Sequence, residues 1–144
     1  MAAGREATAL AIIRVSLGIF MLFEGLGKLS WLADTAPLTN QLNGWLQGAW
    51  PANRWYLLNV AIPWAPIFAR LVMLGETACG LALVFGVYTR LAAWLGFLMV
   101  LNFHFASGAM FQYRFLTNGY GLPVLGPLLG LGLGGARLPL SLKK

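Results

Sequence analysis

Cysteine, histidine and acidic residues are all scarce in this sequence. The 144 residues include one cysteine, Cys79, one histidine, His104, and only four acidic side chains. A single cysteine excludes an internal disulfide and a CxxC redox pair, and a single histidine excludes a haem held by two histidines of this chain. The sequence is compatible with a chlorophyll or a haem that has His104 as its one axial ligand. No cofactor motif and no pair of nucleophile and base is evident.

Charged residues are also few, at 10% of the chain, whereas 59% of the side chains are hydrophobic. The net charge is +6, but the cations are scattered singly and cluster only at Lys143 and Lys144. This distribution argues against a nucleic-acid partner and for cations that flank a membrane. The apolar run over residues 7–29 is too long for the core of a signal peptide, so we expect it to be retained as a helix. The composition predicts an integral membrane protein.

Four apolar segments predict an all-α fold, an up-down bundle of four transmembrane helices in one domain. The segments cover residues 7–29, 66–87, 91–111 and 119–136. Short connections after the second and third segments require antiparallel neighbours. The distribution of Lys and Arg favours cytoplasmic termini, and a bacterial inner membrane is the expected location. One side of the membrane would hold Arg5, Arg90, Arg137, Lys143 and Lys144, and the other Lys28, Arg54 and Arg114.

The connection over residues 30–65 is rich in tryptophan. It contains five of the six tryptophans of the chain: Trp31, Trp45, Trp50, Trp55 and Trp64. Tryptophan prefers the headgroup level, so we expect this loop to lie on the membrane surface. Apolar residues at helical spacing predict a short interfacial helix that starts within residues 34–37, and a second one over residues 53–62. A collar over the bundle and a lid over a ligand site are both compatible with this pattern.

Rows of small residues predict close packing of two of the helices. Gly126, Gly130 and Gly134 stand four apart on one face of the fourth segment. In lipid, helices associate through such close contacts, so this row predicts contact with a helix of this chain or of a partner. On the second segment, the row of Ala78, Ala82 and Gly86 predicts a second contact of this kind.

Ionisable residues inside the apolar segments need partners, because a charge near the bilayer centre costs about 2.5–3.5 kcal/mol. Counting about 1.5 Å per residue places Glu24 level with Arg70, and Arg14 within reach of Glu76. We therefore predict two ion pairs, Glu24 with Arg70 and Arg14 with Glu76. Lys28 follows Glu24 by four residues and is expected to join the outer pair.

The third segment adds Asn102 and His104, with Gln112 at its end, to this polar cluster. One interpretation is structural, since ion pairs inside a membrane also fix how helices pack. The functional interpretation is a site for a quinone, whose carbonyls need hydrogen-bond donors and whose reduction needs protons. The candidate residues of a quinone or pigment site are Glu24, Lys28, Arg70, Asn102 and His104.

At these residues the sequence resembles the DoxX family, which includes the small membrane subunit of thiosulfate:quinone oxidoreductase. The motif residues are Arg14, Gly18, Phe23, Gly25 and Lys28 in the first segment, Glu76, Gly80, Leu83, Gly86 and Arg90 in the second, and Gly135, Arg137, Ser141 and Leu142 near the end. Lys143 stands where the family usually has aspartate. The resemblance implies four helices and a connection to membrane redox complexes, and it carries no metal or nucleotide site.

These observations favour a subunit of a larger membrane redox complex, bound to other membrane subunits and lacking a complete active site of its own. It would contribute to a quinone-proximal site. One alternative is a structural subunit of a respiratory or photosynthetic complex that binds lipid or pigment such as chlorophyll. Another is a small proton-coupled transporter in which Glu76 is the coupling carboxylate.

Overall fold

A computed structural model describes residues 2–142, and within this range the chain is helical, without strands. Lys143 and Lys144 lie outside the described residues. The α-helices are α1 (Ala2–Leu26), α2 (Ala36–Leu46), α3 (Pro51–Tyr56), α4 (Ala65–Phe85), α5 (Thr89–Ala106), α6 (Arg114–Thr117) and α7 (Leu122–Gly134). Short 3-10 helices cover Leu29–Leu32 and Ala109–Phe111, and a π-helical turn covers Leu57–Ala61.

Three of these helices are long and apolar enough to cross a membrane. They span Gly4–Leu26, Ala65–Phe85 and Thr89–Ala106 within the described range, and they correspond to the first three predicted segments. The fourth segment forms α7, which is apolar but has only 13 residues. Consecutive long helices run in opposite directions, so the C-terminal ends of α1 and α5 and the N-terminal end of α4 lie beside residues 30–65. We call this the loop end, and the other the far end.

Helix α5 stops at Ala106, five residues before the predicted end at 111. Gly108 adopts a left-handed conformation with φ of 70°, which interrupts the helical hydrogen bonds. A β-carbon on Gly108 would lie 3.0 Å from Nδ2 of Asn53, so the turn is also packed against α3. The buried Asn53 amide donates to the Ala106 carbonyl at 3.1 Å and fastens residues 51–61 to the end of α5.

The closest helix contact joins α1 to α4. A β-carbon on Gly18 would lie 2.7 Å from the Val84 nitrogen, and one on Gly80 would lie 2.6 Å from the Leu22 Cα. Only glycine permits backbones to approach this closely. The contact also corrects the predicted row on α4, because Ala78 is exposed and Gly86 is the left-handed residue that ends the helix.

The glycine row of α7 faces away from the rest of the chain. A β-carbon on Gly126 or Gly130 would meet no described atom within 4 Å, and one on Gly134 would only just touch Leu10. The glycine of α7 used inside the protein is Gly132, which packs on the Trp94 ring. Among residues 2–142, the predicted close contact of this row is therefore not made.

Two apolar cores stabilise the arrangement. One lies between the long helices and includes Leu17, Leu83, Ala93, Leu128 and Leu131. The other lies beneath the short helices α2 and α3 and includes Leu38, Leu42, Leu57, Ala61, Ala65, Ala69 and Ala106. The second core explains why residues 36–46 form a helix, since Leu38 and Leu42 recur on its buried side as the sequence pattern predicts. The predicted helix over 53–62 corresponds to α3 and the π-helical turn.

At the far end, the segment after α7 folds back onto α1 and α4. Arg14, which is completely buried, donates from its guanidinium to the Ser141 hydroxyl and, at 2.7 Å, to the Leu140 carbonyl. The backbone nitrogen of Leu142 donates to the Phe85 carbonyl at 2.9 Å. Arg14 thus binds polar groups of the segment that follows α7, and not Glu76 as predicted, while its Nε has no acceptor in the described part of the chain.

Candidate functional site

A cavity of approximately 560 Å³ opens between the loop ends of α1, α4 and α5, α2 and the segment around α6. Five aromatic side chains line it, namely Phe20, Trp31, Trp45, Phe103 and Tyr120. Its polar lining comes from α1, α2, α4 and α5 and from the segment around α6. A pocket of this size that combines aromatic and polar side chains suits a flat organic molecule with polar substituents.

Lys28 joins two carboxylates on one side of this cavity. Its Nζ lies 3.1 Å from Oε2 of Glu24 and 2.7 Å from Oε2 of Glu76. The side chain of Glu76 is 9% exposed, that of Lys28 19% and that of Glu24 35%. The cluster is therefore most shielded at Glu76 and opens toward the cavity at Glu24. With two carboxylates for one ammonium, the cluster carries a net charge of −1 when both carboxyls are ionised.

Backbone packing places these three groups together. Glu24 and Lys28 are four residues apart at the end of α1, so their side chains lie on one face. Gly25 lies between them, and a β-carbon there would lie 2.6 Å from the Thr77 nitrogen. Because α4 comes this close at Thr77, its neighbour Glu76 lies within reach of Lys28. The close contact at Gly25 between α1 and α4 thus brings the three charged side chains together.

The predicted pair of Glu24 and Arg70 is wrong. Arg70 is exposed, and its guanidinium donates to the Leu32 carbonyl at 3.2 Å and to the Pro66 carbonyl at 2.8 Å. Counting along helices matched Glu24 with Arg70, whereas the structure brings Glu24 and Glu76 to the same ammonium. The carboxylate pairs instead with Lys28, which the sequence assigned only a supporting role.

His104 lines the cavity from α5, as the candidate site required. Its Nε2 lies 2.8 Å from the Tyr120 carbonyl, and because a carbonyl only accepts, Nε2 carries the hydrogen. The ring also makes an edge contact with Phe115, with 5.2 Å between ring centroids. These contacts hold the imidazole between α5 and the segment before α7. They also occupy the donor that the sequence interpretation offered to a ligand.

Asn102 and Gln112 do not reach this cavity. Asn102 lines a small separate hollow beside Leu38 and Trp45, and Gln112 is exposed after the short 3-10 helix. Of the five candidate residues, the structure brings together Glu24, Lys28 and His104 and leaves Asn102 and Arg70 outside. It adds Glu76, which the sequence interpretation had assigned to an ion pair with Arg14.

Sequence reasoning missed several polar lining residues, namely Gln41, Ser107, Arg114, Thr117 and Asn118. Four of them lie in short helices or turns outside the long apolar segments, where no periodic pattern shows which way a side chain points. Their position after or before an apolar segment was the only available signal. Within residues 2–142, no group of three His, Cys, Asp or Glu side chains is placed to hold a metal ion.

Comparison with protein-family models gives a match to DoxX over residues 9–108. The matched range includes most of α1, all of α4 and α5, and the cluster of Glu24, Lys28 and Glu76. Comparisons with curated proteins and with solved structures gave no match. Since the family match covers more than half of the chain and three helices are suited to span a bilayer, this chain is an integral membrane protein of the DoxX family.

Proposed function

We propose that the chain is a subunit of a membrane redox complex and that its cavity binds the head group of a quinone. The observation that carries this proposal is the combination of aromatic walls with the cluster of Glu24, Lys28 and Glu76 in one cavity at the loop end. A quinone head group is flat and apolar on its faces, and it is polar at two opposite oxygens. Aromatic side chains suit its faces, and polar groups contributed by several helices suit its oxygens.

In this proposal α7 also crosses the membrane, so that α1, α4, α5 and α7 form a four-helix bundle with cytoplasmic termini in a bacterial inner membrane. Residues 30–65 lie at the outer interface, where the exposed Trp50, Trp55 and Trp64 contact headgroups. The same segment supplies Trp31 and Trp45 to the cavity and thereby acts as its cover.

The role of the cavity is tested by filling it. Val100 on α5 lines the cavity, so Val100→Phe should lower the affinity for decylubiquinone about tenfold or more, the scale on which pockets reject groups that no longer fit. The measurement is a binding titration of the purified protein in lipid nanodiscs. Leu98→Phe is the matched control, because Leu98 lies on the same helix but is 57% exposed.

Two results would contradict the quinone site. One is unchanged binding in a folded Val100→Phe protein, and the other is the lack of saturable binding in the unmodified protein. Either result would favour the structural subunit, whose cavity holds lipid or pigment.

The partner subunits are tested at the outward glycine row. Because Gly130 meets no described atom of its own chain, Gly130→Leu should leave the isolated protein as stable as before. A leucine there would prevent the close approach of a partner helix, so we expect the variant to be lost from the complex purified from native membranes. Retention of the variant in the complex would assign the row to lipid.

A further inference from the structure

The hydrogens of Lys28 are all used inside the cluster. An ammonium has three N–H groups. Nζ of Lys28 lies 3.0 Å from the Glu24 carbonyl, 3.1 Å from Oε2 of Glu24 and 2.7 Å from Oε2 of Glu76. Although it carries the positive charge of the cluster, Lys28 has no hydrogen left to give to a ligand.

The carboxylates, in contrast, keep free acceptor atoms. Both bind Lys28 through Oε2, and in the described part of the chain no donor reaches Oε1 of Glu24 or of Glu76. Both residues line the cavity. A carboxylate oxygen accepts hydrogen bonds and, when ionised, gives none. This side of the cavity therefore attracts a ligand that carries an O–H or N–H group.

The other shielded polar groups of the cavity have the same character. His104 gives its Nε2 hydrogen to the Tyr120 carbonyl, so the neutral ring keeps only an acceptor at Nδ1. The hydroxyl of Ser107 donates to the His104 carbonyl at 3.3 Å. Neither side chain offers a hydrogen to a carbonyl of the ligand.

Free donors come from α2 and from the segment around α6. The amide of Gln41, the guanidinium of Arg114 and the amide Nδ2 of Asn118 have no hydrogen-bond acceptor among the residues that the structure describes. Oδ1 of Asn118 accepts from the Tyr120 nitrogen at 2.9 Å. The lining thus combines the acceptors of α1 and α4 with donors that belong to other elements.

From this division we infer that the cavity selects the reduced, hydroxyl-bearing quinol over the oxidised quinone. The inference rests on the proposed function and deepens it. Each hydroxyl of a quinol both donates and accepts, so one donates to the carboxylates and the other accepts from Arg114 or Asn118. Each carbonyl of a quinone only accepts, so the end beside Glu24 and Glu76 would place oxygen lone pairs against oxygen lone pairs.

The test compares two probes that differ only in oxidation state. The protein in nanodiscs is titrated without oxygen with decylubiquinol and with decylubiquinone, and free ligand is quantified after equilibrium dialysis. We expect the quinol to bind at least about tenfold more tightly, because sites built to pair a hydroxyl strongly reject analogues that lack it. Glu76→Gln should reduce this preference to about threefold or less, since an amide offers N–H donors in place of an acceptor-only carboxylate.

Two further variants keep the result interpretable. Glu6→Gln makes the same chemical change on an exposed part of α1 and should leave the preference unaltered. Glu24→Gln replaces Glu76→Gln if the latter fails to fold, since the Glu24 side chain is half-buried, and it should also weaken the preference. Equal affinities for the two probes, or tighter binding of the quinone, would overturn the inference and leave the quinone site standing. Failure of both probes to bind saturably would overturn the quinone site itself.

Discussion

Lys28→Met is expected to lower the unfolding free energy by about 3–5 kcal/mol, the usual cost of removing one partner from a buried ion pair. Lys28 is the counter-ion of both carboxylates, and the side chain of Glu76 is only 9% exposed. Removing the ammonium leaves Glu76 without a partner in the interior. The measurement is reversible unfolding in mixed detergent micelles, followed by helical circular dichroism.

A second substitution separates charge from packing. If the loss comes from an unpaired carboxylate, Glu76→Gln added to Lys28→Met should recover at least half of it, because the amide needs no counter-ion. Arg70→Met serves as the comparison, since the exposed Arg70 has no ion-pair partner in the described chain, and it should cost less than about 1 kcal/mol. Additive losses in the double variant would show that the cluster does not act as a unit.

Gly80→Ala is expected to destabilise the protein by about 1–3 kcal/mol or more, although it adds only one methyl group. That β-carbon would lie 2.6 Å from the Leu22 Cα, and backbone atoms of α1 cannot move aside as a flexible side chain can. Relieving the clash requires α1 and α4 to separate along their whole contact. Separation would also draw Glu76 away from Lys28.

The matched control is Gly130→Ala on α7, which should change stability in the opposite direction. Gly130 lies on an exposed helix face, where a new β-carbon meets no described atom within 4 Å. Alanine in a helix interior is more favourable than glycine by about 0.5–1 kcal/mol. Thermal unfolding of the two variants in the same detergent tests both signs. A similar loss in both proteins would show that the α1–α4 contact is not the determinant.

Much of the fold could be predicted because hydropathy and helix length are properties of a local stretch of sequence. The three long helices and the short helix at Leu38 and Leu42 follow from patterns of this kind. The exact helix ends depended on contacts from elsewhere. Asn53, for example, packs against Gly108 and binds Ala106, so the end of α5 is set by residues some 50 positions away.

The site was predicted in part for a related reason. Rise per residue placed Glu24 level with Arg70 and put Glu76 within reach of Arg14, so the contact of Glu24 and Glu76 with the same Lys28 was not predicted from the sequence. The rotation of each helix about its axis decides which partner is met, and this depends on how closely Gly25 and Gly80 let α1 and α4 approach. The glycines of the backbone contact between α1 and α4, namely Gly18, Gly25 and Gly80, were present in the family motif but not in the small-residue rows that we used.

The anchorage of Arg14 has a consequence for how the protein is made. Its acceptors, Ser141 and Leu140, follow it by 127 and 126 residues. At common synthesis rates, a ribosome needs about 6–25 s to add that length of chain. During this interval α1 carries a cation into the bilayer before the groups that will bind it exist. Insertion of the first helix and formation of the Arg14 hydrogen bonds are therefore separate events in biogenesis. In the interval, water, lipid phosphate or the insertion machinery must supply hydrogen-bond acceptors to Arg14.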